Sequence, residues 1–214
     1  LQPIDLCWGV SEEAATERQT LRICFDELER CRQLSPDCFL LMQLGERYGS
    51  QILPPELAAD VVARMLPHLS AEQRRTFEAA YRRDKNAVPA VYVLLSAGAE
   101  RAADEALRTM LVGAGRVAGP TEVERLPFEG SATHREIQLG LLGTQRSGVD
   151  DAGALCAVRR WRGQPQGPEA EQFSEADEER AAQVGRLTAA VMERLPEEQV
   201  LRYSVDWRGR GSSL

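Results

Sequence analysis

The chain has 214 residues, 43% of them hydrophobic and 28% charged, with a formal net charge of −7. That is length enough for one sizeable core, or one domain with an appendage, at an ordinary soluble composition. The acidic balance argues against a nucleic-acid-binding surface, and no apolar run approaches the roughly 20 residues of a membrane span. The five cysteines, Cys7, Cys24, Cys31, Cys38 and Cys156, are odd in number and show no CxxC or Cys/His ligand spacing. They read as reduced thiols of a cytoplasmic protein rather than as disulfides or a metal site. The chain opens at Leu1 rather than Met and runs almost at once into strand-like residues, so we read it as a piece of a longer protein.

In chain order, Pro3–Trp8 is a short apolar run stopped by Gly9, the pattern of a strand. From Glu12 to about Leu34 the period turns helical: Leu21, Cys24, Phe25, Leu28 and Cys31 form one stripe, and Ser35-Pro36 ends the helix. Cys38–Leu44 is a continuous apolar run leading into a Gly45-x-x-Tyr48-Gly49 loop. Such a run bounded by glycine predicts a strand buried on both faces, as inside a parallel sheet. The spacing then predicts helices over about Glu56–Leu66 and Ala71–Arg83, the second with Ser70 as N-cap. A strand is expected over Ala87–Leu95 with Pro89 near its start, a helix over Ala97–Leu111, and loop from Gly113 to Gly130. Thr133-x-x-Glu136 reads as a capping box opening a helix through Ile137, Leu141 and Leu142. Gly153–Trp161 is a further strand, Gly163–Gly167 a linker, Ser174–Leu195 a long helix with Val184, Leu187, Val191 and Leu195 on one face. Leu201–Trp207 reads as a last strand, followed by a tail or cut point from Arg208.

This alternation implies an α/β fold: a mainly parallel sheet with helices on both faces. We take residues 1–163 as the α/β domain and 164–214 as a linker, long helix and short strand or tail.

No GxGxxG or GxxxxGK[ST] motif is present, so the residues name neither a dinucleotide nor a triphosphate. The Gly45–Gly49 loop follows a strand at the edge where α/β sheets bind ligands; a tight turn with Tyr48 packed on its neighbours explains it as well. His68 and His134 are the only histidines, and neither has partners at ligand spacing, so no metal is expected. Glu136 is the candidate catalytic carboxylate, placed to bind a ribose or act on a glycosidic bond, though the capping box accounts for it too. Trp8 and Gly9 at a strand end, and Ser131 and Thr133 at a helix start, complete the candidate ligand or interaction residues. The acidic run Glu175–Glu179 reads as a solvated helix start.

Five runs in order bring a family into view: Asp5-Leu-Cys-Trp-Gly-Val10, Cys24-Phe-Asp-Glu-Leu-Glu-Arg-Cys31, Leu44-Gly-Glu-Arg-Tyr-Gly49, Arg83-Asp-Lys-Asn-Ala-Val-Pro89 and Ser131-Ala-Thr-His-Arg-Glu-Ile137. Over roughly residues 4 to 160 the chain resembles the N-terminal α/β domain of the NACHT and WD repeat domain-containing proteins. The domain is numbered 4062 among those of unknown function and also occurs in telomerase-associated protein. Two positions depart: Cys7 stands where the family has arginine, and His134 where it has glutamate. The resemblance implies a TIR-like, flavodoxin-like three-layer fold whose first strand precedes Leu1. It further implies a place at the front of a cytosolic signalling ATPase, ahead of a NACHT module that binds ATP and of WD40 propellers. On this reading the segment itself carries no cofactor and serves as an adaptor contacting protein partners or further copies of itself, not nucleic acid or membrane. The alternative it leaves open is a TIR-like domain that cleaves NAD or a related nucleotide through Glu136.

Overall fold

The computed structural model describes residues 20–95, 101–118, 121–143, 153–167 and 169–208. The expected strand Pro3–Trp8, and with it Cys7, Trp8 and Gly9, lies outside the described residues. The chain forms two compact units, one including residues 51–132 and the other made of 25–50 with 133–214.

The second unit holds a parallel sheet of β1 (Leu40–Leu44), β5 (Ala154–Trp161) and β6 (Val200–Val205), in the order β1-β5-β6. Strand alternation turns Met42, Leu44, Cys156 and Val158 to one face. There they form a core with Ile137, Leu141, Leu187, Val191 and Leu195. The last three belong to α7 (Glu178–Arg194) and its C-cap, whose stripe of Val184, Leu187, Val191 and Leu195 is buried as its spacing predicts. Asp177 caps this helix by accepting from the Arg180 N–H at 2.8 Å. The segment after Gly163 supplies a strand of this sheet and a helix of its core.

The helix α1 (Thr20–Leu34) likewise buries Leu21, Cys24 and Leu28. Leu28 and Leu40 close around Gly140, where an added Cβ would meet their methyl carbons at 3.2 and 2.8 Å. Gly140 sits in a π-helical turn, Gln138–Leu142, that continues α6 (Ala132–Ile137) and ends with the Gly143 N–H donating to the Gln138 carbonyl at 2.6 Å. The wider turn frees carbonyls from the α ladder, and Arg32 donates to those of Gly140 at 2.8 Å and Leu139 at 3.2 Å.

The first unit is built on an antiparallel sheet, β2-β4-β3, of β2 (Glu56–Ala58), β3 (Tyr81–Asp84) and β4 (Val91–Leu94). Its helices are α2 (Ala59–Met65), α3 (Ala71–Ala80), α4 (Arg101–Ala118) and α5 (Glu122–Glu129). Val62, Met65, Phe77, Leu107 and Leu111 fill the core. Phe77 stacks on Tyr81 with centroids 5.1 Å apart, and the buried Tyr81 hydroxyl donates to the Pro54 carbonyl at 2.8 Å.

The α/β class stands, with several departures in detail. The strand around Val91 joins a separate antiparallel sheet rather than the parallel one. Residues 56–58 are strand, not helix start, and the helix from Ala71 stops at Ala80 because Tyr81–Asp84 pairs with β4. Gly113–Gly130 is mostly helix: α4 runs to Ala118, and a true capping box of Thr121 with Glu124 opens α5. Gly113 and Gly115 suggested loop, but at Gly115 the missing side chain admits the Phe128 ring, which an added Cβ would meet at 2.6 Å. Finally, β1 is buried on one face only, since Leu41 is 61% exposed.

Candidate functional site

The carboxyl edge of the parallel sheet gathers most of the polar chemistry of the second unit. β1 ends at Leu44, and Gly45 follows without a side chain because the Arg159 guanidinium occupies that space; a Cβ there would lie 2.9 Å from a terminal nitrogen. The Arg159 guanidinium carbon stands 4.3 Å from the Trp161 ring centre, a cation–π contact. Trp161, Phe173 and Trp207 pack edge-to-face or tilted with centroids 5.0 to 6.3 Å apart. Both indole N–H groups donate to carbonyls, Trp161 to Phe173 at 3.4 Å and Trp207 to Gln166 at 2.8 Å.

Glu46 extends the sheet edge by bridging to Ser174. Its carbonyl accepts from the Glu175 N–H at 2.9 Å, and its carboxylate accepts from the Trp161 N–H at 3.1 Å. Tyr48 is buried, and its hydroxyl shares a 2.7 Å hydrogen bond with Nδ1 of His134, the rings meeting edge to face. The Tyr48 N–H donates to Glu175 at 3.4 Å. Arg180 closes the loop from the other side, donating to the Gly49 carbonyl at 2.8 Å and lying 3.5 Å from the Glu175 carboxylate. Gly49 has φ of +92°, the left-handed region that favours glycine.

Gly45, Tyr48 and Gly49 are therefore brought together, with His134 as the partner of Tyr48. Ser131 is buried in the first unit, where it bridges to Gln51. Thr133 is exposed and lies inside the first turn of α6, which begins at Ala132. The expected Thr133-x-x-Glu136 capping box is thus displaced: Thr133 carries helical backbone and cannot serve as the flanking cap residue. Glu136 is half-buried on α6, two residues from His134, so it projects about 200° away from the face that meets Tyr48. Between them Arg135 is buried, 5.7 Å over the Phe25 ring.

Sequence reasoning missed Glu175 and Arg180. The acidic run reads as a solvated helix start, but α7 begins at Glu178, and the Glu175 side chain is only 11% exposed. No local pattern marks its place in the loop, because Glu46 and Tyr48, which it meets there, lie over a hundred residues earlier. Among the described residues no group of three or more His, Cys, Asp or Glu side chains is placed to hold a metal. His68, the other histidine, lines an open cleft of the first unit with Gln73, Glu105, Met110 and Val117.

No protein-family model matches the chain, and no solved structure matches it. Among curated proteins it is similar to NACHT domain- and WD repeat-containing protein 1 of Mus musculus, 28% identical over 165 residues, which is 73% of this chain and 10% of that protein. The Homo sapiens protein of the same name is 27% identical over 151 residues, 66% of this chain and 10% of its own length. NACHT and WD repeat domain-containing protein 2 of Mus musculus is 33% identical over 95 residues, 44% of this chain and 6% of that protein. The chain spans about a tenth of the length of the first two relatives.

Proposed function

We propose that this chain is a non-enzymatic adaptor domain at the front of a cytoplasmic NACHT/WD-repeat scaffold, where it makes contacts with protein partners. The similarity to such proteins gives the setting. The observation that carries the adaptor role is how the loop at the sheet edge spends its polar groups. Tyr48 is tied to His134, Glu175 to the Tyr48 N–H and to Arg180, Arg180 to the Gly49 carbonyl, and Glu46 to the Trp161 N–H. Groups committed to internal bonds hold a loop in shape, whereas a reaction needs groups convergent on a substrate. ATP binding belongs on this reading to an adjoining module outside these residues.

The test compares a full-length parent protein with a version lacking this segment. The adaptor reading expects a discrete set of proximity-labelled protein neighbours to disappear while ATP turnover persists. Unchanged neighbours would overturn it, as would release of nicotinamide from NAD by the segment that is abolished by Glu136→Ala.

A further inference from the structure

Every strand pair of the β1-β5-β6 sheet is parallel, and its inner face is covered by α6, its π-helical continuation and α7. Residues of the opposite parity point the other way, and the register sets them side by side: Leu41 beside Leu155, Ala157 beside Leu201, Arg159 beside Tyr203. Among the described residues this second face is open. Leu41 is 61%, Leu155 37%, Leu201 64% and Tyr203 40% exposed.

Two observations bear on the role of this face. All-parallel sheets are almost always covered by helices on both faces, and Phe39-Leu-Leu-Met-Gln-Leu44 is composed for a strand apolar on both sides. A contiguous exposed apolar surface of this kind marks an interaction site. The second observation is a charge at one end of the face. Arg159 lies over Gly45 and against Trp161, and its buried Nε has no hydrogen-bond partner among the described residues. A guanidinium held against an indole is restrained in position and suited to receive a carboxylate.

We propose that this face docks an amphipathic helix of a partner protein. The apolar stripe of that helix lies across Leu41, Leu155, Leu201 and Tyr203, and an aspartate or glutamate at one end pairs with Arg159. The occupant is a helix because helices are what cover parallel sheets. It is acidic at one end because Arg159 sits at the carboxyl end of β5. The inference rests on the adaptor reading and gives it a partner chemistry.

The probe is a displayed library of amphipathic peptides, each about five turns long, selected on the intact chain. Recovered peptides are expected to share an apolar stripe and an acidic residue near one end. Their binding is expected to vanish in Leu201→Asp and Leu155→Asp, with folding checked by circular dichroism. Arg159→Ala is expected to weaken binding by about tenfold or more. Changing the peptide's acid to its amide is expected to cost as much on the unaltered chain and nothing further on Arg159→Ala. Failure to recover any peptide, or peptides that bind Leu201→Asp undiminished, would overturn the proposal. So would a dimer in sedimentation that Leu201→Asp dissolves, which would assign the face to a second copy. Each of these failures leaves the adaptor reading intact if deleting the whole segment still strips neighbours from the parent protein.

Discussion

Tyr48 is the residue on which the sheet-edge loop turns. Its ring is buried and its hydroxyl meets His134 at 2.7 Å, so Tyr48→Phe removes one hydrogen bond and little volume. The expected loss is about 1 kcal/mol of stability, read from the urea midpoint at unchanged slope; no loss would show that the bond contributes nothing net. Gly153 makes a harsher case. A Cβ there would collide with the Pro36 carbonyl oxygen and lie 2.6 Å from the Phe39 ring. The backbone partner is fixed by the Phe39 N–H to Gly153 carbonyl bond of 2.8 Å. Gly153→Ala is therefore expected to cost about 3 kcal/mol or more, checked by thermal melting against the open-site control Gly163→Ala.

Cys156 gives a pH dependence with a definite sign. Burial pushes its thiol from 9.0 up to about 11. Between those values the folded chain keeps a proton that the unfolded chain releases, so stability falls as pH rises. The contribution is complete below about pH 9 and lost toward pH 11, with an upper size of about 3 kcal/mol. The urea midpoint is expected to drop more steeply between pH 8.5 and about 10.5 than in Cys156→Ala; equal slopes would contradict the burial argument.

Among the elements, α5 shows what local chemistry fixes. Thr121 accepts from the Glu124 N–H at 3.2 Å, and Glu124 accepts from the Thr121 N–H at 3.2 Å. The Arg64 guanidinium at 2.6 Å, followed by the Thr121 bonds, holds the Glu124 carboxyl below its usual range. Thr121→Ala is expected to cost about 1 kcal/mol, measurable by denaturant titration; no change would mean that the cap is dispensable. That box lies inside the Gly113–Gly130 stretch that reads as loop, where Gly115 serves close packing of Phe128. The long stripes of α1 and α7 were legible because a helix repeats its signal over several turns. Strands β2 and β3 were not, since three or four residues carry no period and only pairing with β4 makes them strands. The loop Gly45–Gly49 announced its position after a strand, but Glu175 and Arg180 come from distant sequence and have no local mark. In β1 the composition spoke of two buried faces, and the structure fills one. That mismatch is informative, because it points to what the second face meets.

For the whole molecule, the two units are of different construction, one antiparallel with α2–α5 and one parallel with α6 and α7. The second unit is assembled from segments far apart in the chain, with β1 paired to β5 across more than a hundred residues. Truncation after Gly163 would remove β6 and the α7 stripe from that core. Such a truncation is expected to abolish cooperative unfolding of the parallel unit, followed by hydrogen exchange in β5; retained protection of Ala157 and Val158 would contradict this. In the function proposed here the segment is itself the contact-making piece of a larger scaffold. The most direct measurement expresses it in trans, at rising levels, in cells that contain a full-length parent, and follows the parent's proximity-labelled neighbours. The same neighbours lost on deleting the segment are expected to be displaced in proportion to its level. Neighbours that stay in place while folded segment accumulates beyond the parent would contradict it.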